Sequence, residues 1–187
     1  MKALAQLLWL WLSATALAAP VTGVVRLANG KPARHAVVWF EGERKSKPLA
    51  RFVVDQRDKQ FIPHVSVATV GTTISFPNHD VVYHNVFAEF DAKRFDLGMY
   101  PKGATRTERF DKPGLVAVFC SVHSSMSAYV MIVDTPFYAI TNAQGEFRVE
   151  DVPDGPYLLK TWHESGEKAS RKVDLGERRL QVDLSRK

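Results

Sequence analysis

Short apolar and β-branched runs, broken by turn residues, recur along almost the whole chain from Val21 onward. They cover Val21–Leu27, Ala36–Phe40, Arg51–Val54, Val65–Val70, Thr72–Phe76, Asn85–Ala88, Leu115–Phe119, Ala128–Val133, Gly145–Val149, Tyr157–Trp162 and Leu180–Leu184. Runs of this length suit strands, and the interruptions between them supply turn chemistry: Ala28-Asn29-Gly30-Lys31-Pro32, Pro77-Asn78, Lys112-Pro113-Gly114 and Pro153-Asp154-Gly155. No long segment has a helical period. The pattern predicts an all-β fold of the sandwich kind. Residues 89–104, with Gly98, Pro101 and Gly103, break the pattern, and the expectation there is a long loop with a turn or two of helix.

The first residues read as an export signal. Lys2 supplies a positive start, Leu4–Leu12 an apolar core, and Ala16-Leu17-Ala18 the small-x-small pattern before a cleavage point. Residues 1–18 are therefore expected to be a signal peptide and the mature chain to begin at Ala19, in the periplasm. A membrane anchor is the alternative, but the apolar run falls short of the roughly 20 residues that a span needs. No later stretch reaches that length, so no span is expected in the mature chain. Lys plus Arg number 25 against 20 Asp plus Glu, with no block of like charges, which argues against a nucleic-acid partner. The single cysteine, Cys120, excludes an internal disulfide. In an oxidising compartment such a thiol calls for burial or a bound partner.

Candidate chemistry is concentrated between His84 and Met126. Cys120, His123 and Met126 stand three residues apart between one strand run and the next, where a tight loop can turn all three toward one point. His84 opens another strand run, and antiparallel packing can bring it alongside. Two imidazoles, a thiolate and a thioether form a soft donor set that suits copper and disfavours calcium or magnesium. Zinc accepts Cys and His but makes poor use of methionine. Taken singly, each residue has an ordinary reading: the cysteine as a small buried hydrophobe, the methionine as core filler, His84 as a core histidine. The weight lies on the combination. His35, His64, His79 and His163 form no His-x-His pair, and His79-Asp80 reads as a structural turn. Ser121, Ser124 and Ser125 lack the Gly-x-Ser-x-Gly frame of a serine hydrolase.

Residues 45–134 resemble the cupredoxins, the plastocyanin and azurin superfamily. The resemblance rests on Phe61-x-Pro63, Gly71-Thr72-Thr73-Ile74-Ser75-Phe76-Pro77-Asn78-His79-Asp80, His84-Asn85-Val86-Phe87, Pro113-Gly114 and Cys120-x2-His123-x2-Met126, the last with an amicyanin-like short loop. It implies a Greek-key β-sandwich with one type 1 copper, held by His84, His123 and Cys120 with Met126 axial. It also implies a tie between Asn85 and Ser121 that joins the two ligand segments. Ser124 departs from the proline that many cupredoxins have after the histidine.

The flanks, residues 19–44 and 135–187, resemble a carboxypeptidase-regulatory-like, transthyretin-like sandwich. Val21-Thr22-Gly23-Val24-Val25 and Gly30-Lys31-Pro32-Ala33 open it, and Thr141-Asn142-Ala143-Gln144-Gly145-Glu146-Phe147 with Val152-Pro153-Asp154-Gly155-Pro156-Tyr157 continue it. The copper segment would then be inserted into this discontinuous unit, a combination that resembles exported methylamine utilization proteins. The resemblance implies a blue copper electron carrier and not an enzyme, working with a dehydrogenase or a c-type cytochrome as redox partner. The other reading is a binding module in which copper is stored, delivered or structural, with the outer sandwich docking to protein or carbohydrate.

Overall fold

The computed structural model describes residues 19–89, 92–176 and 178–184, so the expected signal peptide lies outside the described residues. The described chain is all-β, with seventeen strands and no helix. In chain order these are β1 Ala19–Arg26, β2 Val37–Glu41, β3 Phe52–Val53, β4 Asp55–Arg57, β5 Gln60–Ile62, β6 Val65–Thr69, β7 Thr72–Pro77, β8 His84–Ala88 and β9 Phe95–Tyr100. They continue with β10 Thr105–Phe110, β11 Gly114–Phe119, β12 Ser127–Val133, β13 Tyr138–Ile140, β14 Glu146–Val152, β15 Pro156–Trp162, β16 Lys168–Asp174 and β17 Arg179–Asp183. Among them, none of the described helices is long and apolar enough to cross a membrane, since there are no helices.

Strand alternation sets which face each strand buries. In β1, Val21 and Val25 point inward while Thr22 and Val24 are half-buried, the period-two pattern of a sheet with one covered face. β1 lies between β14, antiparallel, and β17, parallel, so the two ends of the described chain close one sheet. That sheet faces the sheet β13-β2-β15-β16 across a core that includes Val38, Phe40, Phe147, Val149, Leu159 and Leu180. We call this the outer unit. The middle of the chain forms the five-stranded sheet β6-β12-β11-β8-β9 and the three-stranded sheet β10-β7-β3 around a second core. Ile74, Phe76, Val86, Val116, Val130 and Ile132 fill it, with Cys120 and Met126 at one end. This is the inner unit, to which the hairpin β4-β5 also belongs.

A third apolar cluster joins the two. Val37 of β2 packs with Val65 and Val67 of β6 and Met131 and Val133 of β12, bordered by Trp39, Leu115, Tyr129, Tyr138 and Trp162. The chain crosses between units twice, and the crossings are stitched together. Thr135 Oγ1 donates to Phe40 O at 2.7 Å, and Lys45 pairs with Asp134 at 3.0 Å.

The expected loop at 89–104 is corrected by β9. Phe95 and Leu97 pack on the inner core and Tyr100 is buried, which gives the segment enough apolar contact to hold against β8. Gly98, with φ of 67°, sits where the register with β8 shifts between Asn85 and Phe87. The glycine therefore marks a bulge within a strand and not a loop. Two further strands, β10 and β16, are largely exposed and polar, and lack the apolar alternation by which sequence reveals a strand.

Gly23 of β1 has no room for a side chain: a Cβ there would run into Leu180 O and the Phe147 ring. Gly23→Ala should lower the unfolding free energy by about 1–3 kcal/mol, the usual cost of overpacking. An unchanged denaturant midpoint would show that the close approach of β1, β14 and β17 is not as described.

Candidate metal centre

The loop between β11 and β12 carries three of the candidate ligands. Cys120 follows the last residue of β11, and Met126 precedes the first residue of β12. β11 and β12 are antiparallel neighbours, with Phe119 opposite Ser127, so the loop must double back within a few residues. Two backbone bonds close it: Cys120 N donates to Met126 O at 3.2 Å, and Met126 N donates to His123 O at 2.9 Å. β8, antiparallel to β11 on its other side, begins with His84 and brings that ring to the same end of the sheet.

His84 Nδ1 lies 3.7 Å from Cys120 Sγ, His123 Nδ1 lies 3.8 Å from it, and the two Nδ1 atoms are 3.1 Å apart. The rings stand edge to face with centroids 4.8 Å apart. His84 is fully buried, Cys120 and Met126 nearly so, and His123 is half-buried. Met126 belongs to the same buried cluster as Cys120. His84, Cys120 and His123 thus form a group able to hold a metal ion.

The spacing fits one soft ion. Bonds of about 2.0 Å to nitrogen and about 2.3 Å to sulfur in a trigonal plane keep nitrogen and sulfur about 3.7 Å apart. The same plane would hold the two nitrogens about 3.5 Å apart, slightly more than the 3.1 Å seen here. Two imidazoles and a thiol buried beside a thioether are donors of the type that copper prefers.

Both ligand segments are held from behind. Asn85 Oδ1 accepts from Ser121 N at 2.7 Å and from Ser121 Oγ at 2.9 Å, so the residue after His84 is tied to the residue after Cys120. His84 Nε2 donates to Asp80 Oδ2 at 3.0 Å, which orients the ring and leaves Nδ1 as the inward-facing lone pair. Asp80 also accepts from Lys59 N and Val81 N, each at 2.7 Å. The His84 bond and then the Lys59 N–H hold its carboxyl down at about 2, against an opposing contribution from burial. Asn78 braces the same turn, its Nδ2 donating to Val82 O and Tyr100 O and its Oδ1 accepting from Asp80 N.

Sequence reasoning passed over Asp80 by reading His79-Asp80 as a structural turn. The usable signal was its position four residues before His84 in a turn that leads into the strand. A second missed group is Tyr100, opposite His84 in β9. Its hydroxyl donates to the carbonyl of Phe76 at 2.9 Å and accepts from Gln56 Nε2 at 2.6 Å, and burial pushes the phenol well above its usual range. The remaining histidines stay apart from the centre: His79 pairs with Asp55, His64 with Glu164, and His163 bonds to Arg34 O. Val81, Tyr83 and Val122, neighbours of the ligands in sequence, and Met99, opposite Asn85, are exposed apolar side chains around this end of the inner unit. An open cavity of about 830 Å³ lies elsewhere, on β1, β14 and β17.

No protein-family model matches the chain, and no curated protein matches it. Among solved structures, it is similar to a purple cupredoxin from Nitrosopumilus maritimus, at 20% identity and a TM-score of 0.40 over 44% of this chain and 99% of the other. It is similar to a Cu-containing nitrite reductase from Thermus scotoductus SA-01, at 25% identity and a TM-score of 0.43, over 50% of this chain and 24% of that enzyme. An amicyanin variant in its reduced state matches at 20% identity and a TM-score of 0.41, over 51% of this chain and 98% of the other.

Two outcomes follow for the metal-free protein. Asn85→Ala removes the shared acceptor of the Ser121 N–H and hydroxyl and should cost about 0.5–1.5 kcal/mol of stability in denaturant unfolding; a loss within error of zero would refute the tie. A carboxyl depressed from 3.8 to about 2 contributes stability that is present above its unfolded value and lost as pH falls through the folded one. Asp80→Asn should therefore flatten the acid limb of the stability profile between pH 4 and pH 2, and an identical limb in both proteins would contradict the Asp80–His84 bond.

Proposed function

We propose that this chain is an exported blue copper protein that carries single electrons between redox partners and has no catalytic activity of its own. The observation that carries the reading is the convergence of His84 Nδ1, His123 Nδ1 and Cys120 Sγ at separations of 3.1–3.8 Å with Met126 buried beside them. Copper held there by His84, His123 and Cys120 would supply one-electron chemistry between its two oxidation states. One type 1 ion is the expected occupancy, and Met126, buried in the same cluster as Cys120, would be the fourth residue to hold it.

The chain's own part is to keep the donors still. Asp80 holds the outer N–H of His84, so the imidazole cannot swing away from the thiolate when charge at the centre changes. Asn85 keeps Ser121, and with it Cys120, at a constant distance from the start of β8. Tyr100, paired with His84 across β8 and β9, donates its hydroxyl to the carbonyl of Phe76 and so locks β9 to β7 behind the centre.

His123 is the half-buried ligand and the one nearest solvent, which makes its outer ring edge the natural electron port. Val81, Tyr83, Val122 and Met99 supply exposed apolar surface at this end of the molecule, suited to a transient contact that excludes water. A dehydrogenase as donor and a c-type cytochrome as acceptor fit this role. The export-signal pattern of Lys2, Leu4–Leu12 and Ala16-Leu17-Ala18 supports the periplasm as the working compartment. The outer unit, built from residues 19–44 and 135–187, is read as a carboxypeptidase-regulatory-like sandwich around a cupredoxin insert, available for protein or carbohydrate docking.

The test is the visible and electron-paramagnetic-resonance spectrum of the copper(II)-loaded protein. An intense thiolate-to-copper band with narrow hyperfine splitting is expected, absent from Cys120→Ser. A colourless loaded protein would overturn the reading. Reversible voltammetry then identifies a carrier, whereas expulsion of the ion on reduction would identify delivery or storage instead.

A further inference from the structure

We infer that the outer unit braces the ligand loop through a Glu164–His64 strut, which makes both side chains positioning residues for the metal centre. The role as stated rests on the copper reading above. The strut itself rests on geometry in both units.

His64 directly precedes β6, on the inner unit's edge facing the outer unit. Its backbone is held by the loop's own continuation, because Tyr129 N donates to His64 O at 2.8 Å. Its ring spans the gap between the units. Nδ1 lies 3.0 Å from Ser127 O, and Nε2 lies 2.6 Å from Glu164 Oε2. Both partners are oxygen acceptors, and each ring nitrogen faces one of them. A ring with an oxygen partner at each end is held in one orientation, and a displacement of either end is passed to the other.

Each end of the strut is anchored. Ser127 is the residue after Met126, and Met126 makes the two backbone bonds that close the ligand loop. Pulling on Ser127 O therefore bears on Met126 and, through Met126 O, on the Cys120 N–H. At the other end, Glu164 sits on the turn between β15 and β16. That turn is closed by His163 N to Glu167 O and by Gly166 N to His163 O, both at 3.0 Å. It is pinned to the rest of the outer unit by His163 Nε2 donating to Arg34 O at 3.0 Å and by Ala28 N donating to Glu167 Oε2 at 2.8 Å. Aromatic packing runs beside the strut. Tyr129 stands edge-on to His64 with centroids 5.5 Å apart, and Trp162, just before the turn, lies 5.2 Å from Tyr129. The outer unit thus reaches the metal loop by one polar and one aromatic contact path, both starting from the same hairpin.

His64 and Glu164 are partly exposed, so the expected effect is modest. In the metal-free protein, hydrogen exchange of the Cys120 and Met126 amides should be about fivefold faster in Glu164→Ala, the upper range for an exposed ion pair. The Val130 and Ile132 amides, inside the same sheet, should be unaffected. Glu164→Gln keeps an acceptor oxygen for Nε2 and should recover most of the protection. In the copper(II)-loaded proteins, the resonance hyperfine pattern should broaden from the unmodified chain to Gln to Ala. Equal exchange in all three proteins, a uniform rise across the whole sheet, or identical copper spectra would each overturn the positioning role. Failure of the copper reading shows separately, as a colourless unmodified protein, and the exchange measurement in the metal-free chain still decides whether the strut holds the loop.

Discussion

Asn85 Oδ1 accepts both the N–H and the hydroxyl of Ser121, and the geometry of the centre depends on that one acceptor. His84 and Cys120 are thirty-six residues apart. Strand pairing alone leaves them loosely related, because β8 and β11 share only the Phe119–Phe87 position as a register partner. The side-chain amide replaces the missing backbone bonds and sets the distance between imidazole and thiol. An acceptor on a buried side chain that takes two donors at once fixes both, and its loss removes both bonds together. The same logic explains Asp80, whose two oxygens take an imidazole N–H and two backbone N–H groups, so that a carboxylate is stable although it is almost buried.

The rest of the inner unit serves this arrangement. A β-sheet delivers residues to its ends with a precision that a free loop lacks, because side-chain direction follows from the pleat. Cys120 leaves β11 at the end where β12 begins, and a short connection with two internal backbone bonds leaves the loop few conformations. The fold therefore spends little conformational entropy in presenting three donors when an ion arrives. The outer unit adds a second support. Its own core is separate, but Val37, Val65, Val67, Met131 and Val133 join it to the inner sheet through β6 and β12, and β12 is the strand that leaves the ligand loop. Contacts made by the outer unit are consequently felt one strand away from the metal centre.

Much of this was legible in the chain, for reasons particular to each element. The strands around the inner core announce themselves, since Ile74, Phe76, Val116, Val118, Val130 and Ile132 alternate with less buried residues or sit in continuous apolar runs. The Cys120, His123 and Met126 spacing stands out because few folds have use for that trio in one turn. β9 was misread, because Gly98 and Pro101 are loop residues in most settings and a bulge looks the same in sequence. β10 and β16 were invisible because an exposed strand needs no apolar face; β10 is held by its backbone ladder to β7, and β16 by its ladder to β15. Tyr100 was missed because its partners Gln56 and Phe76 approach only after pairing, and Asp80 because its turn, four residues before His84, reads as structural.

By itself the sequence determined the class of fold and the set of candidate donors. Both are properties of local composition: alternation and turn residues dictate strands, and a thiol, imidazoles and a thioether at close spacing dictate the chemistry of a soft ion. Tertiary structure decided everything that depends on distance. It brought His84 within reach of Cys120, assigned Asp80 to hold the ring, gave Asn85 its two donors and set Glu164 against His64. The reason is that hydrogen bonds and coordination fall off within an ångström or so, while residues 36 to 100 positions apart meet only where sheet register puts them.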